Sequence, residues 1–198
     1  VQEGLVNRIT PFTTNKPGAK NFDTEKAYHN IMPRFKFGNL KQKGLYVDET
    51  TMGMCYTHRR LLAQTALALI AEHKDKKAID ILKKADVEIP YYNVPVDYMS
   101  GGLDMARGWL LTGQKAKGEE YLKKVWTNAT QYLNYYLSLN ADRFAQAQSD
   151  CIHQIMIMQS AAEVAGMVSP KLEAQYAKQL NALYTLYHGR GGRMPEGY

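Results

Sequence analysis

Apolar residues recur every three to four positions from about Met52 to Tyr187, the spacing of one buried face on an α-helix. Two stretches carry this period in matching order. In the first, Leu62, Ala66 and Leu69 precede a polar turn at residues 73–75, and Ala78, Leu82 and Ala85 follow before Pro90. In the second, Ala106 and Trp109 lead into Gly113-Gln114, and Gly118, Leu122 and Val125 take the places of Ala78, Leu82 and Ala85. That order of small and large residues is the pattern of tetratricopeptide-like helix pairs, with a period about six residues longer than the usual ~34. The surplus falls in residues 91–98.

The periodicity continues beyond these pairs. Tyr121, Leu122, Val125, Trp126, Ala129, Leu133 and Tyr136 make one stripe and predict a long fourth helix ending near Leu139. Asn140 and Asp142 offer caps for a fifth helix carrying Phe144, Cys151, Ile155 and Ala162, with Gly166 as its stop. Ser169-Pro170 places a capping hydroxyl before a first-turn proline and starts a sixth, whose buried face runs through Leu172, Tyr176, Leu180, Leu183, Tyr184 and Tyr187. The expected fold is all-α: about six main helices in tetratricopeptide-like antiparallel pairs, the third pair serving as a terminal cap. Residues 51–188 form that helical domain, residues 1–50 a partly extended N-terminal arm packed on it, and residues 189–198 a flexible tail. In the arm, residues 5–12 and 44–47 read as extended. Asp23 caps a short helix that Pro33 ends, and Phe12, Phe22, Phe35, Phe37 and Tyr46 are the expected anchors.

Charge narrows the possible partners. The 25 basic and 19 acidic residues leave a net +6 spread over the ends and the helices, which fits a solvated basic surface suited to anionic lipid headgroups. No recognition helix, zinc finger or stacking sheet is present, so nucleic acid is not an expected partner. The two cysteines, Cys55 and Cys151, make no disulfide framework, although one bridge between them stays open. The longest apolar run, residues 66–71, is far short of the ~20 residues that cross a bilayer. Val1 is not an initiator methionine, so a longer parent chain is expected.

Few residues fall into a catalytic pattern. Cys55-x-x-His58 and Cys151-x-His153 match no common zinc module, and cysteines inside helices are ordinarily small core residues, so neither a metal nor a cofactor is expected. Ser100-Gly101-Gly102 lacks a nucleophile elbow and shapes the start of the third helix; Gly189-Arg190-Gly191-Gly192-Arg193 lacks the lysine and threonine of a phosphate loop. The sequon at Asn128 falls within a helix. The most unusual segment is Tyr91-Tyr92-Asn93-Val94-Pro95-Val96-Asp97-Tyr98. Its prolines stiffen it, and its tyrosines offer flat faces with polar tips to a sugar or an extended peptide, unless they merely set the angle between helix pairs. His58 and Arg59 can reach the same neighbourhood, with Asp97 as a partner for Arg59. The candidate ligand-binding set is therefore His58, Arg59, Tyr91, Tyr92, Asn93, Asp97 and Tyr98, with no catalytic residue among them.

Several phrases resemble one family. Val6-Asn7-Arg8-Ile9-Thr10-Pro11-Phe12, Asn21-Phe22-Asp23-Thr24-Glu25-Lys26, Met54-Cys55-Tyr56-Thr57-His58-Arg59-Arg60 and Tyr92-Asn93-Val94-Pro95-Val96-Asp97-Tyr98-Met99-Ser100 resemble the soluble C-terminal region of the bacterial domain of unknown function 2723 family. Its members are multi-pass membrane proteins similar to protein O-mannosyltransferases of the C-type membrane glycosyltransferase class. The resemblance implies an accessory domain on the periplasmic face, tethered to the inner membrane in the full-length protein. It would hold a polypeptide or glycan acceptor, or the membrane domain of its own chain. It also implies that the catalytic acid lies elsewhere in such a parent. Two other functions are compatible with the residues: a stand-alone enzyme with a site near His58, Arg59, Asp97 and Tyr98, and a purely structural spacer.

Overall fold

The computed structural model of the protein describes residues 1–9 and 22–194; Pro11, Phe12, Pro17 and residues 195–198 lie outside the described residues. Among those described the chain is all-α. Eight helices and two isolated bridges, Gln2 to Asn7 and Gln2 to Phe22, make up its regular structure. It divides into two compact units, Val1–Gly118 and Glu119–Tyr198.

The first unit holds α1 (Thr24–Arg34), α2 (Glu49–Ala71), α3 (Asp75–Glu88), α4 (Gly102–Leu111) and the first turn of α5 (Lys115–Ser138). Asp23 and Asp48 cap α1 and α2, each carboxylate accepting a backbone N–H three residues on at 3.0 Å. The α2 start is therefore earlier than the apolar period alone predicts. Two hairpin turns then repeat one geometry. His73 and Gly113 both adopt the left-handed conformation, with φ 60° and 78°. Lys74 N–H donates to Leu69 C=O at 2.9 Å, and Gln114 N–H donates to Trp109 C=O at 2.8 Å, so both helices close in the same way. The repeat seen in side chains is thus matched in the backbone.

Helices α2 and α3 bury Leu62, Ala66, Leu69, Ala78, Ile81, Leu82 and Ala85 completely, and α4 packs on both. Glycine permits this closeness. A Cβ on Gly108 would stand 3.1 Å from a Leu82 methyl, and one on Gly118 would stand 2.5 Å from Leu110 Cγ. All four repeat positions, Ala78, Leu82, Gly118 and Leu122, are buried.

The arm belongs to the first unit. Ala27 and Ile31 of α1 are fully buried against it, and Leu40 is nearly so. Phe22, Phe35 and Phe37 are half-buried, as anchors should be, but Tyr46 is 88% exposed and anchors nothing. Residues 45–48 form no strand. At the polar edge, Glu25 meets Lys74 at 2.7 Å and Lys77 at 2.6 Å, and Thr24 donates to Glu72 at 2.6 Å. Hydrogen bonds from the Lys74 and Lys77 ammonium groups hold the Glu25 carboxyl down at about 2, below its usual 4.5. A depressed carboxyl stabilises the folded state above its unfolded value and loses that contribution as pH falls through the folded one. Glu25→Gln is therefore expected to melt below the parent protein at pH 6, with the gap closing as pH falls from about 4.5 to about 2. Thermal melts followed by circular dichroism would show it; a gap independent of pH would exclude the ion pairs as its cause.

The second unit holds the rest of α5 with α6 (Ala141–Gln146), α7 (Gln148–Gly166) and α8 (Pro170–Gly189). Helices α7 and α8 pack as a hairpin. Trp126 stacks on Tyr176 at 3.8 Å between ring centres, and its indole N–H donates to Gln179 at 3.0 Å. The caps at Asn140 and Ser169 are formed. The expected fifth helix is instead broken at Ala147, whose N–H reaches back to Arg143 and Phe144. The tail also differs at its start: α8 continues through Gly189, and Arg190 donates to the Leu137 and Leu139 carbonyls while lying 4.5 Å over the Phe144 ring. Tyr187, fully buried, donates to Arg193 C=O at 3.0 Å.

Candidate functional site

The segment from Ile89 to Gly101 links α3 to α4, and its course is set from inside by α2. Arg59 is fully buried. One terminal nitrogen donates to Pro95 C=O at 2.7 Å; the other donates to Ile89 C=O at 2.8 Å and Val94 C=O at 2.7 Å. The planar fork of a guanidinium suits this task, because its donors diverge in fixed directions and can gather carbonyls from both ends of a bend.

The far end of the loop is closed by Asp97 and Ser100. Ser100 N–H donates to the Asp97 carboxylate at 2.7 Å, while Asp97 N–H donates to the Ser100 hydroxyl oxygen at 2.9 Å. Gly101 follows at φ 77°, and a Cβ there would lie 2.8 Å from Arg60 Cα. The chain thus passes directly against the α2 backbone before α4 begins.

A second wall comes from the turn after α1. Asn93 is 8% exposed and its amide donates to Leu40 C=O and Gln42 C=O, both at 2.6 Å. Tyr92 donates its hydroxyl to Lys41 C=O at 2.7 Å, and Lys43 lies 5.8 Å from the Tyr92 ring centre. Tyr91 and Tyr92 meet edge to face at 5.8 Å. His58 joins the same wall, its ring edge-on to Phe37 at 5.7 Å. Its Nδ1 is 2.7 Å from Met54 C=O, so this nitrogen carries the proton and donates.

The seven residues drawn from the sequence are brought to one region, but in two roles. Arg59 and Asn93 are corrected from ligand contacts to internal braces, since their polar groups are enclosed and engaged with main-chain carbonyls. The Asp97 carboxylate accepts from Ser100. Tyr91, Tyr92 and Tyr98 remain outward, at 53%, 43% and 43% exposure, with His58 half-buried beside them. An active site through His58, Arg59, Asp97 and Tyr98 would have to work with an enclosed Arg59. Phe37 was an expected anchor of the arm, but the clasp of residues 40–42 by Tyr92 and Asn93 was not foreseen.

Cys55 lies one helical turn before Arg59 on α2 and feels its charge. Cys55 and Cys151 are buried free thiols in different compact units, and burial raises both above the ordinary thiol range, Cys151 to about 11. Among the described residues, no cluster of three or more His, Cys, Asp or Glu can hold a metal ion, and no helix is long and apolar enough to cross a membrane.

Fold and site together define an all-α protein of helical hairpins with a braced, tyrosine-bearing inter-helix loop. No family model, curated protein or solved structure matches the chain.

Proposed function

We propose that this chain is a non-catalytic interaction domain that presents the loop of Tyr91, Tyr92 and Tyr98 to a polypeptide or glycan. The observation carrying this is the combination of a backbone fixed from within and tyrosine rings left outside. A loop ordered before binding loses little conformational entropy on association, and tyrosine supplies broad contact area with few torsions to freeze. The family-like phrases quoted above support a wider setting: an accessory domain on the periplasmic side of a membrane-embedded glycosyltransferase-like protein.

Binding is tested with the 198-residue chain against unfolded polypeptides and neutral oligosaccharides, by calorimetry and tyrosine-resolved NMR. The double variant Tyr91→Ala with Tyr98→Ala is expected to weaken the best ligand about tenfold, the loss typical of truncating aromatic contacts, while leaving the melting temperature close to that of the parent. Turnover of a sugar donor by the isolated chain, or binding indifferent to both tyrosines, would sink the proposal.

A further inference from the structure

Residues 34–47 contain Arg34, Lys36, Lys41 and Lys43 and no acidic residue. The segment is held in place rather than trailing: Asn93 and Tyr92 clasp the carbonyls of residues 40–42, and Phe37 abuts His58. Two of its lysines come within electrostatic reach of α3, where Glu88 partly offsets them. Lys84, whose ammonium burial holds below the usual lysine range, donates to Met32 C=O at 2.8 Å and also feels Lys36 and Lys41 as like charges. Of the nearby acids, Glu88 pairs with Lys41 at 3.3 Å, while Asp48, kept ionised by its bonds to Thr51, and exposed Glu49 follow Tyr46 at the start of α2; with Lys84 counted, the basic residues still outnumber them. Just past Gly44, Leu45 is 38% exposed and Tyr46 88% exposed, so apolar surface stands beside the cations.

We propose that this segment, through its exposed Lys36, Lys43 and Tyr46, seats the domain on an anionic lipid surface. Lysines attract such a surface while their stems lie along it, and a tyrosine ring sits at headgroup depth with its hydroxyl in water. An acidic polymer would be met by the charges alone; the projecting Leu45–Tyr46 pair adds the apolar contact that a bilayer rewards. The surface is separate in kind from the polymer contact proposed for Tyr91 and Tyr98 and stands whether or not that contact exists.

The test is co-sedimentation of the chain with phosphatidylcholine vesicles, with and without about a third phosphatidylglycerol, at low and high salt. Partitioning is expected only with the anionic lipid, and is expected to fall at high salt. The double variant Lys36→Gln with Lys43→Gln should lose about tenfold or more, since each lysine near such a surface contributes about fivefold. Lys171→Gln with Lys178→Gln, an equal charge loss on α8, should change it much less. Tyr46→Trp should shift its emission to the blue on binding, and Tyr46→Ser should weaken partitioning. Equal loss in both lysine doubles, indifference to Tyr46, no binding to anionic vesicles, or retention of polyglutamate in place of vesicles would each overturn the proposal.

Discussion

Replacing Arg59 by methionine is expected to destabilise the first unit by about 4 kcal/mol, because it leaves the carbonyls of Ile89, Val94 and Pro95 without the donor that now serves them. Methionine fills much the same volume, so the loss reports hydrogen bonding rather than a cavity. Arg59→Lys should recover less than half. A single ammonium on a shorter arm lacks the divergent fork that reaches both Ile89 and Pro95. Urea denaturation gives the stability directly, and proteolysis within residues 91–98 reports whether the loop has come loose. A loss below about 1 kcal/mol would mean that the loop holds its path without the guanidinium.

Gly101→Ala is expected to cost about 3 kcal/mol through two separable effects. One is conformational, since φ is 77° and an L side chain is strained there. The other is steric, since the new methyl would stand 2.8 Å from Arg60 Cα, a backbone atom unable to swing aside. Gly113→Ala isolates the first effect: φ is 78°, but nothing lies within 4 Å of an added Cβ. It should cost only about 1 kcal/mol. Equal losses in the two variants, read from the urea midpoint, would show that the close passage at Arg60 has no energetic weight.

These two sites also mark where sequence stops being informative. Helix ends were legible because their signals are side chains. Asp23, Asn140 and Ser169 cap where their residue types predict, and Pro170 occupies the first turn of α8. The buried face of α2 and α3 was legible because apolar spacing has a period. The break at Ala147 was not, since alanine favours a helix and carries no mark of a local hydrogen-bond shift. The braces at residues 89–95 were hidden for a related reason. Arg59 and Asn93 satisfy main-chain carbonyls, which every residue possesses, so no letter in the loop announces the partnership. Arg59 looked like a ligand contact because it could reach the tyrosine-bearing loop from its own helix, and only its complete burial reveals a structural duty. Tyr46 failed in the opposite direction: an aromatic in a proline-rich arm was expected inside and stands outside.

The buried thiols give the molecule a pair of internal clocks. Each compact half contains one cysteine, Cys55 in the first and Cys151 in the second, and both are enclosed and reluctant to ionise. An alkylating reagent meets a reactive thiolate only when the surrounding half has opened. The labelling rate at each position therefore measures how often that half comes apart, so the native chain reports whether its two halves unfold together or one at a time.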